Sequence, residues 1–564
     1  MKRILLVCAL LLSMGLMAAC QCPLRKFHQS ALRRNTPACQ MQQKAACPMQ
    51  KSCGCAARAC GRPMATPVSV VAPSPLLAPE LRLPKVFSEN MVLQHGKPLP
   101  VWGWAAPGET VKVKLGAQEK ATATTPQGEW KVVLDPVAPS AEPQTLTISA
   151  AKTIEIKNVL VGEVWVCSGQ SNMEMSVAAS NDSQAEIAAA NYPNIRLFNI
   201  TKCVAQLPTE DVNATWQACT PQTVPNFSAA AYFFGRELHK ELNIPVGLIE
   251  SAWGGTRIEP WTPPVGFAAN PKLQDICKTL NDLDNQYRQN VSKNLPEWQA
   301  WTTGTRNALE AGAPLPVMPN PAQATITDCQ QPTALYNGMI NAIVPYAIRG
   351  AIWYQGESNN GEGMLYYEKM KALICGWRQV WQQDCFPFLF VQIAPCIYGD
   401  DKVPGTLPGL WEAQMASLQI PNTGIAPTMD ISNLRDIHPK NKQEVGKRLA
   451  LWALANTYGK KIPVYCGPMY KAMKVEKNKI RIAFNLVGAG LESRDGKALN
   501  FFQIAGEDKN FVNADATIDG KTVVVSSPSV AKPVAVRFGW DQRAEPNLRN
   551  KAGLPALPFR TDQW

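Results

Sequence analysis

Between about residues 160 and 460 the chain repeats one pattern: an unbroken apolar run, a polar or glycine-rich break, then a longer stretch with apolar residues at helical spacing. The runs are Val161–Cys167, Val246–Ala252, Gly350–Tyr354, Phe388–Ile393 and Thr423–Met429. A strand apolar on both sides belongs in a sheet covered on both faces. Ser228–Leu242, Leu365–Trp381 and Lys440–Thr457 carry the helical spacing. The alternation predicts an α/β core with a mainly parallel sheet, in which ligands bind beyond the carboxyl ends of the strands. On either side the period changes to two. Pro100–Trp104, Val111–Leu115 and Trp130–Leu134 precede the core, punctuated by Ala106-Pro107-Gly108 and Pro126-Gln127-Gly128. Lys479–Ala483 and Thr522–Val525 follow it, with Asp519-Gly520 marking a hairpin. Such short alternating strands predict small β-sandwich modules. The expected organisation is a leader (1–20), a tether (21–80), a β-sandwich module (81–160), the α/β domain (161–460) and a C-terminal β-rich module (461–564).

Charge adds less than its total suggests. The 564 residues carry a formal charge of +12, but ten lysines and arginines precede the first acidic residue, Glu80. Removing those ten leaves +2 for the folded body, so its charge gives no reason to expect a nucleic-acid partner. After residue 20 no apolar run reaches the roughly 18 residues of a membrane-spanning helix.

Lys2 and Arg3, the apolar stretch Ile4–Met17 and the small pair Ala18-Ala19 form an export signal. Met17-Ala18-Ala19-Cys20 also resembles a bacterial lipobox, which would make Cys20 the acylated first residue. The expectation is an exported protein, periplasmic or at the cell surface and attached to the outer membrane, with ordinary secretion as the alternative. Six cysteines lie in the tether, where Cys53-Gly54-Cys55 is spaced too tightly for the usual zinc site. Nine more, Cys167 to Cys466, lie in the body. Export favours disulfides among these, and chain order suggests Cys203–Cys219, Cys277–Cys329, Cys375–Cys385 and Cys396–Cys466. Oligomeric state leaves no legible mark.

Four breaks after strands carry polar motifs. Gly169-Gln170-Ser171-Asn172-Met173 is a strand–turn–helix transition that holds Ser171 at the mouth of the site, as a nucleophile or as an ordinary helix cap. Only four histidines exist. His28 lies in the tether, His95 in the β module and His239 in mid-helix, leaving His438 in Asp436-Ile437-His438-Pro439 as the base. Asp436 is placed to support the imidazole, with Asp430 and Glu357 competing for that role. Trp253-Gly254-Gly255-Thr256 offers backbone N–H groups to a developing oxyanion, and Gln355 in Tyr354-Gln355-Gly356-Glu357-Ser358-Asn359 offers an amide. Each also has an innocent reading, as a turn or a loop bridge.

Taken together these motifs resemble the sialate O-acetylesterase family, a carbohydrate-esterase branch of the SGNH hydrolases. The match rests on Gly169–Glu174, Trp253–Trp261, Trp353–Asn359, Asp436–Lys442 and the ending from Gly553 to Trp564, and spans about residues 80–564. The resemblance implies a flavodoxin-type three-layer core flanked by β modules, with Ser171 as nucleophile and His438 as general base. Gly254 or Gly255 and Gln355 would join the Ser171 N–H in the oxyanion hole. No metal or other cofactor is implied. The broader superfamily places its acid three residues before the histidine, where this chain has Arg435, with Asp436 two before. The triad acid is therefore open, a Ser–His dyad included. Trp253, Arg257 and Trp261 are expected to stack on a sugar or pair with a carboxylate such as that of sialic acid, with a structural ion pair as the equal alternative for Arg257, and Asn172 and Glu357 are further candidate substrate contacts. The substrate implied is an O-acetylated sialic acid or related glycan. The alternatives are an acetyl-xylan or other plant-polysaccharide esterase and, in another class, a non-catalytic surface glycan-binding protein.

Overall fold

Strand formation begins with six short segments: β1 (Val92–Gln94), β2 (Leu99–Trp104), β3 (Thr110–Leu115), β4 (Gln118–Ala123), β5 (Glu129–Leu134) and β6 (Ser140–Ser149). In β2, β3 and β5 every second residue is buried, as their alternating sequence requires. The computed structural model describes residues 80–383, 385–398 and 406–564. The leader and the tether up to residue 79, with the proposed lipidation site and the six cysteines of the tether, lie outside the described residues.

The next strand, β7 (Thr153–Gly169), is 17 residues long. Its first half pairs antiparallel with β6; its second half is buried throughout and lies in the parallel sheet between β10 (Val246–Ala252) and β11 (Gly350–Tyr354). The change of pattern at Val159 is the point where one face of solvent gives way to two faces of protein. One continuous strand therefore joins the β module to the core, and the expected boundary at 160/161 falls inside it.

Beyond β11 lie β12 (Phe388–Val391) and β13 (Thr423–Ala426); beyond β10 lie β8 (Tyr192–Asn199) and β9 (Trp216–Cys219). The parallel strands run β8-β10-β7-β11-β12-β13, and the three that precede the first motif loops keep the β10-β7-β11 order that places the first strand between the next two. All these pairings are parallel, and the sheet is mixed because β9 adds antiparallel to β8. Alternate residues show that both faces are covered. Trp165 of β7 packs edge-on against Phe234 of one helix, whereas Trp353 of β11 packs against Trp261 and against Trp377 of another.

Those helices match the sequence pattern closely. Ser228 caps the helix Ala229–Leu242 by accepting from the Ala231 N–H at 3.1 Å. Leu365–Trp381 has the expected bounds. The last is shorter than expected, Lys442–Trp452, because Asn441 caps it by accepting from the Glu444 N–H and the chain loosens into a wider turn at Ala453–Thr457. The 38-residue helix Gln274–Ala311 has no counterpart in the expected elements: it buries only Ile276, so it lacks the apolar stripe by which such helices are read. Among the described residues, no helix is long and apolar enough to cross a membrane. At the C-terminal end two four-stranded antiparallel sheets enclose a separate core including Ile482, Val523, Phe502 and Phe538.

All nine cysteines of the body are free, which corrects the four expected disulfides. Their sulfurs are turned to different partners: Cys396 Sγ lies 3.7 Å from the Leu434 carbonyl, and Cys466 Sγ lies 3.4 Å from that of Ile425. Chain order cannot supply the close approach a disulfide requires.

One carboxylate is buried within the sheet. Glu250 of β10 accepts the Ser228 N–H at 2.9 Å, yet burial dominates and pushes its pKa up to about 8 from the ordinary 4.5. With a folded pKa above the unfolded one, its contribution to stability is full below about pH 4.5 and is lost as pH rises through about 8. Glu250→Gln is expected to flatten that loss, on the order of a few kcal/mol. Urea unfolding at about pH 5 and about pH 8 measures it; parallel pH dependence in parent and variant would exclude Glu250 as the source.

Candidate active site

Two hydrogen bonds bring three strand ends together. Gly169, the last residue of β7, has φ +144°, and a Cβ there would lie 2.2 Å from the Tyr354 carbonyl oxygen. Only glycine allows this approach. It lets the Gln170 N–H reach the Tyr354 carbonyl at 3.0 Å while the Gly169 carbonyl receives the Trp253 N–H at 3.1 Å. The first turn of the next helix, Ser171–Glu174, follows immediately. Ser171, Gly254 and Gln355 therefore emerge at one rim.

His438 reaches that rim from the far side of the sheet. The loop after β13 is held by the C-terminal module: Arg494 donates to the Asp430 carbonyl at 3.0 Å and Ser432 to Glu545 at 2.7 Å. His438 Nε2 lies 2.8 Å from Ser171 Oγ, hydrogen-bond distance for a hydroxyl and an imidazole 267 residues apart in sequence. The candidate acids separate clearly. Asp430 is bound to Arg448 by two hydrogen bonds of 2.7 and 2.8 Å, and Glu357 is turned to Asn172 at 2.5 Å. Asp436 remains: its Oδ1 accepts the His438 backbone N–H at 2.9 Å and stands 3.4 Å from Nδ1, a long contact shared with solvent. His95 instead joins Glu163 and Arg349 in an ion cluster, and His239 contacts the Ile244 carbonyl through Nδ1.

Beneath the pair lies a buried polar layer. Asn172 is fully enclosed; its amide donates to Glu357 and to the Ile437 carbonyl at 2.9 Å, and its oxygen accepts from Lys442 Nζ at 2.5 Å. One side chain thus ties the nucleophile's turn to the residue before His438. Burial lowers the Lys442 pKa to about 7, against the pull of the Glu357 and Asp436 charges. Burial likewise raises the Glu357 carboxyl, opposed by its Asn172 bond and by Lys442.

Several expected contacts are placed elsewhere. Asn172 and Glu357 are buried and bonded to each other, and neither lines the groove. Gln355 is fully buried; its amide donates to the Thr256 carbonyl at 3.2 Å and to Asn359 at 2.7 Å, with no hydrogen left for an oxyanion. Arg257 pairs with Glu259 and Glu362 and donates to the Ser358 carbonyl. Trp261 is buried with its indole N–H on Thr256, and the half-buried Trp253 has Lys202 over its ring at 5.4 Å. Gly255 adopts φ +76°, and its carbonyl receives Ser358 and Gln330. Gly254 stays beside Ser171, but its N–H is donated to Glu174 at 2.6 Å.

An open groove of about 660 Å³ runs past Ser171 and His438, lined also by Asp436, Glu174, Met175 and Lys440. Glu174, Lys440 and Lys442 are absent from the residues expected at the site, although each stands in or beside a quoted motif. The available signals were the i,i+3 spacing of Glu174 from Ser171 and the closeness of both lysines to His438.

A hydroxyl–imidazole pair beyond the carboxyl edge of a doubly covered parallel sheet is the arrangement that nucleophilic acyl-transfer chemistry requires. Residues 161–293 and 321–455 match the family model described as carbohydrate esterase, sialic acid-specific acetylesterase. The chain is 32% identical over 527 residues to the sialate O-acetylesterase of Rattus norvegicus, covering 85% of this chain and 94% of that one. It is 26% identical to the sialate O-acetylesterase of Homo sapiens over 523 residues, covering 85% and 92%. The crystal structure of a carbohydrate acetylesterase from Xanthomonas citri superposes with a TM-score of 0.72 at 34% identity, covering 86% of this chain and all of that one. The chain belongs to the sialate O-acetylesterase family. The stretch between the two matched segments, residues 294–320, holds the second half of the long helix.

Proposed function

We propose that the enzyme removes O-acetyl groups from sialic acids or related glycans, with Ser171 as nucleophile and His438 as general base and acid. The observation that carries this reading is the 2.8 Å approach of His438 Nε2 to Ser171 Oγ at the floor of an open groove. In the first step Ser171 Oγ bonds to the acetyl carbonyl carbon while its proton passes to His438 Nε2. The tetrahedral intermediate then expels the sugar oxygen, which takes that proton from His438. In the second step His438 takes a proton from water, whose oxygen attacks the acetyl-enzyme, and acetate leaves as Ser171 regains its proton. Asp436 steadies the imidazolium from 3.4 Å, an electrostatic contribution weakened by solvent.

Lys440 supports an anionic sugar. It is exposed on the groove wall and, among the described residues, forms no ion pair, whereas Arg257 and Lys202 are each held by carboxylates. Lys440→Gln is expected to raise KM for an O-acetylated sialic acid about fivefold, as fits a solvent-exposed pair worth up to ~1 kcal/mol, and to leave 4-nitrophenyl acetate unchanged. Equal effects on both substrates would remove Lys440 from recognition. Acetate release from O-acetylated sialic acid and from acetylated xylan, compared side by side, tests the substrate class; faster release from xylan would replace the sialic acid reading with the plant-polysaccharide one.

Export and acylation at Cys20 complete the proposal, supported by the Met1–Cys20 pattern. Incorporation of a labelled fatty acid that is lost in Cys20→Ser is the expected result; equal labelling of both forms would refute it.

A further inference from the structure

The groove contains an anion of its own. Glu174 Oε2 accepts the Gly254 N–H at 2.6 Å, and Oε1 is held by Lys202 at 2.5 Å. A Cβ placed on Gly254 would lie 3.1 Å from that same Oε2 and 3.2 Å from Ser171 Cβ, so the carboxylate oxygen and the nucleophile flank one backbone unit. Glu174 is half-buried and lines the groove beside Ser171 and His438. Of the donors expected for an oxyanion, Gln355 is committed elsewhere, which leaves the N–H groups of Ser171 and Gly255 and the Gly254 N–H that Glu174 holds.

A carboxylate oxygen at hydrogen-bond distance from an oxyanion donor carries the charge that the tetrahedral intermediate will develop. One N–H cannot serve two anions at full strength, and two like charges in contact repel. We propose that Glu174 is a resident occupant of the oxyanion position, which must be displaced from Gly254 before the substrate's carbonyl oxygen can be held there. The inference rests on Ser171 being the nucleophile. It gives the glutamate that closes the Gly-Gln-Ser-Asn-Met-Glu motif a part in the chemistry, because the free enzyme keeps its donor satisfied at a cost in affinity for every tetrahedral anion. Lys202 fixes the occupant in place and Gly254, lacking a Cβ, leaves room for it.

A small alkylboronic acid isolates this competition from turnover. On binding, Ser171 Oγ bonds to boron, the serine proton passes to His438 Nε2, and boron becomes a four-coordinate anion without any other bond breaking. Glu174→Gln and Glu174→Ala are each expected to bind methylboronic acid about 10-fold more tightly than the parent at the same pH, a modest gain because Lys202 and solvent already screen the carboxylate. Ser171→Ala should not bind it. Unchanged or weaker affinity in both Glu174 variants, with binding still abolished by Ser171→Ala, would overturn the displacement proposal and leave the nucleophile standing. Undiminished binding by Ser171→Ala would instead remove the nucleophile, and the proposal with it.

Discussion

Ser171→Ala is expected to lower kcat/KM for an acetyl ester by about 10⁴- to 10⁶-fold, with the fold intact. The size follows from the role: without the hydroxyl no acetyl-enzyme forms, and what remains is binding plus whatever the backbone donors contribute. The fold is spared because Ser171 is half-buried and its side chain, among the described residues, is bonded to His438 alone. His438→Ala should fall to a similar floor, and the double variant hardly further, since the two groups act as one unit. Asp436→Asn should cost much less, about 10-fold, because its 3.4 Å contact lies in partly solvated surroundings, whereas a buried, well-aligned triad acid is worth roughly 10⁴. Initial rates with 4-nitrophenyl acetate rank the series. Activity near the parent's in Ser171→Ala would falsify the nucleophile assignment, and an Asp436→Asn loss as large as His438→Ala would mean that the aspartate closes on Nδ1 when substrate binds.

The second large effect is expected one residue along. Asn172→Ala should destabilise the protein by about 2–4 kcal/mol and also lower kcat by about 10²-fold, with little change in KM. Truncation leaves the Lys442 amine, the Glu357 carboxyl and the Ile437 carbonyl without a partner they now share, the first two in buried surroundings. The carbonyl belongs to the residue before His438, so the same deletion frees the imidazole's loop. Urea unfolding and steady-state kinetics at a temperature where the variant is fully folded separate the two losses. A stability loss without a fall in kcat would show that Asn172 supports the core and does not position His438.

Particular residues show where local sequence suffices. The second half of β7, β10 and β11 are buried on both faces and mostly apolar, and that composition is itself the consequence of being covered on both sides, so the strands could be read directly. That Ser171 and His438 would meet was legible for the same reason: each follows such a run, and a parallel sheet gathers its carboxyl ends along one edge. Arg257, Gln355 and Asn172 misled because a polar side chain in a loop looks alike whether it meets a ligand or another loop. Their partners, Glu362, Thr256 and Lys442, are separated from them by 105, 99 and 270 residues. The disulfides failed on the same ground, since pairing by order ignores distance.

By itself, then, the chain's periodicity determined the parallel core and the flanking β modules, and the motifs after its strands singled out Ser171 and His438 as candidates, all properties set within a short stretch of neighbouring residues. Tertiary structure alone decided which acid faces His438, that Asn172 links two loops beneath it, and that a carboxylate sits on Gly254. The last two depend on hydrogen bonds a few ångströms long between groups 265 and 80 residues apart, and the first on Arg448 and Asn172 having engaged Asp430 and Glu357; only packing of the sheet, its helices and the C-terminal module brings such groups within reach.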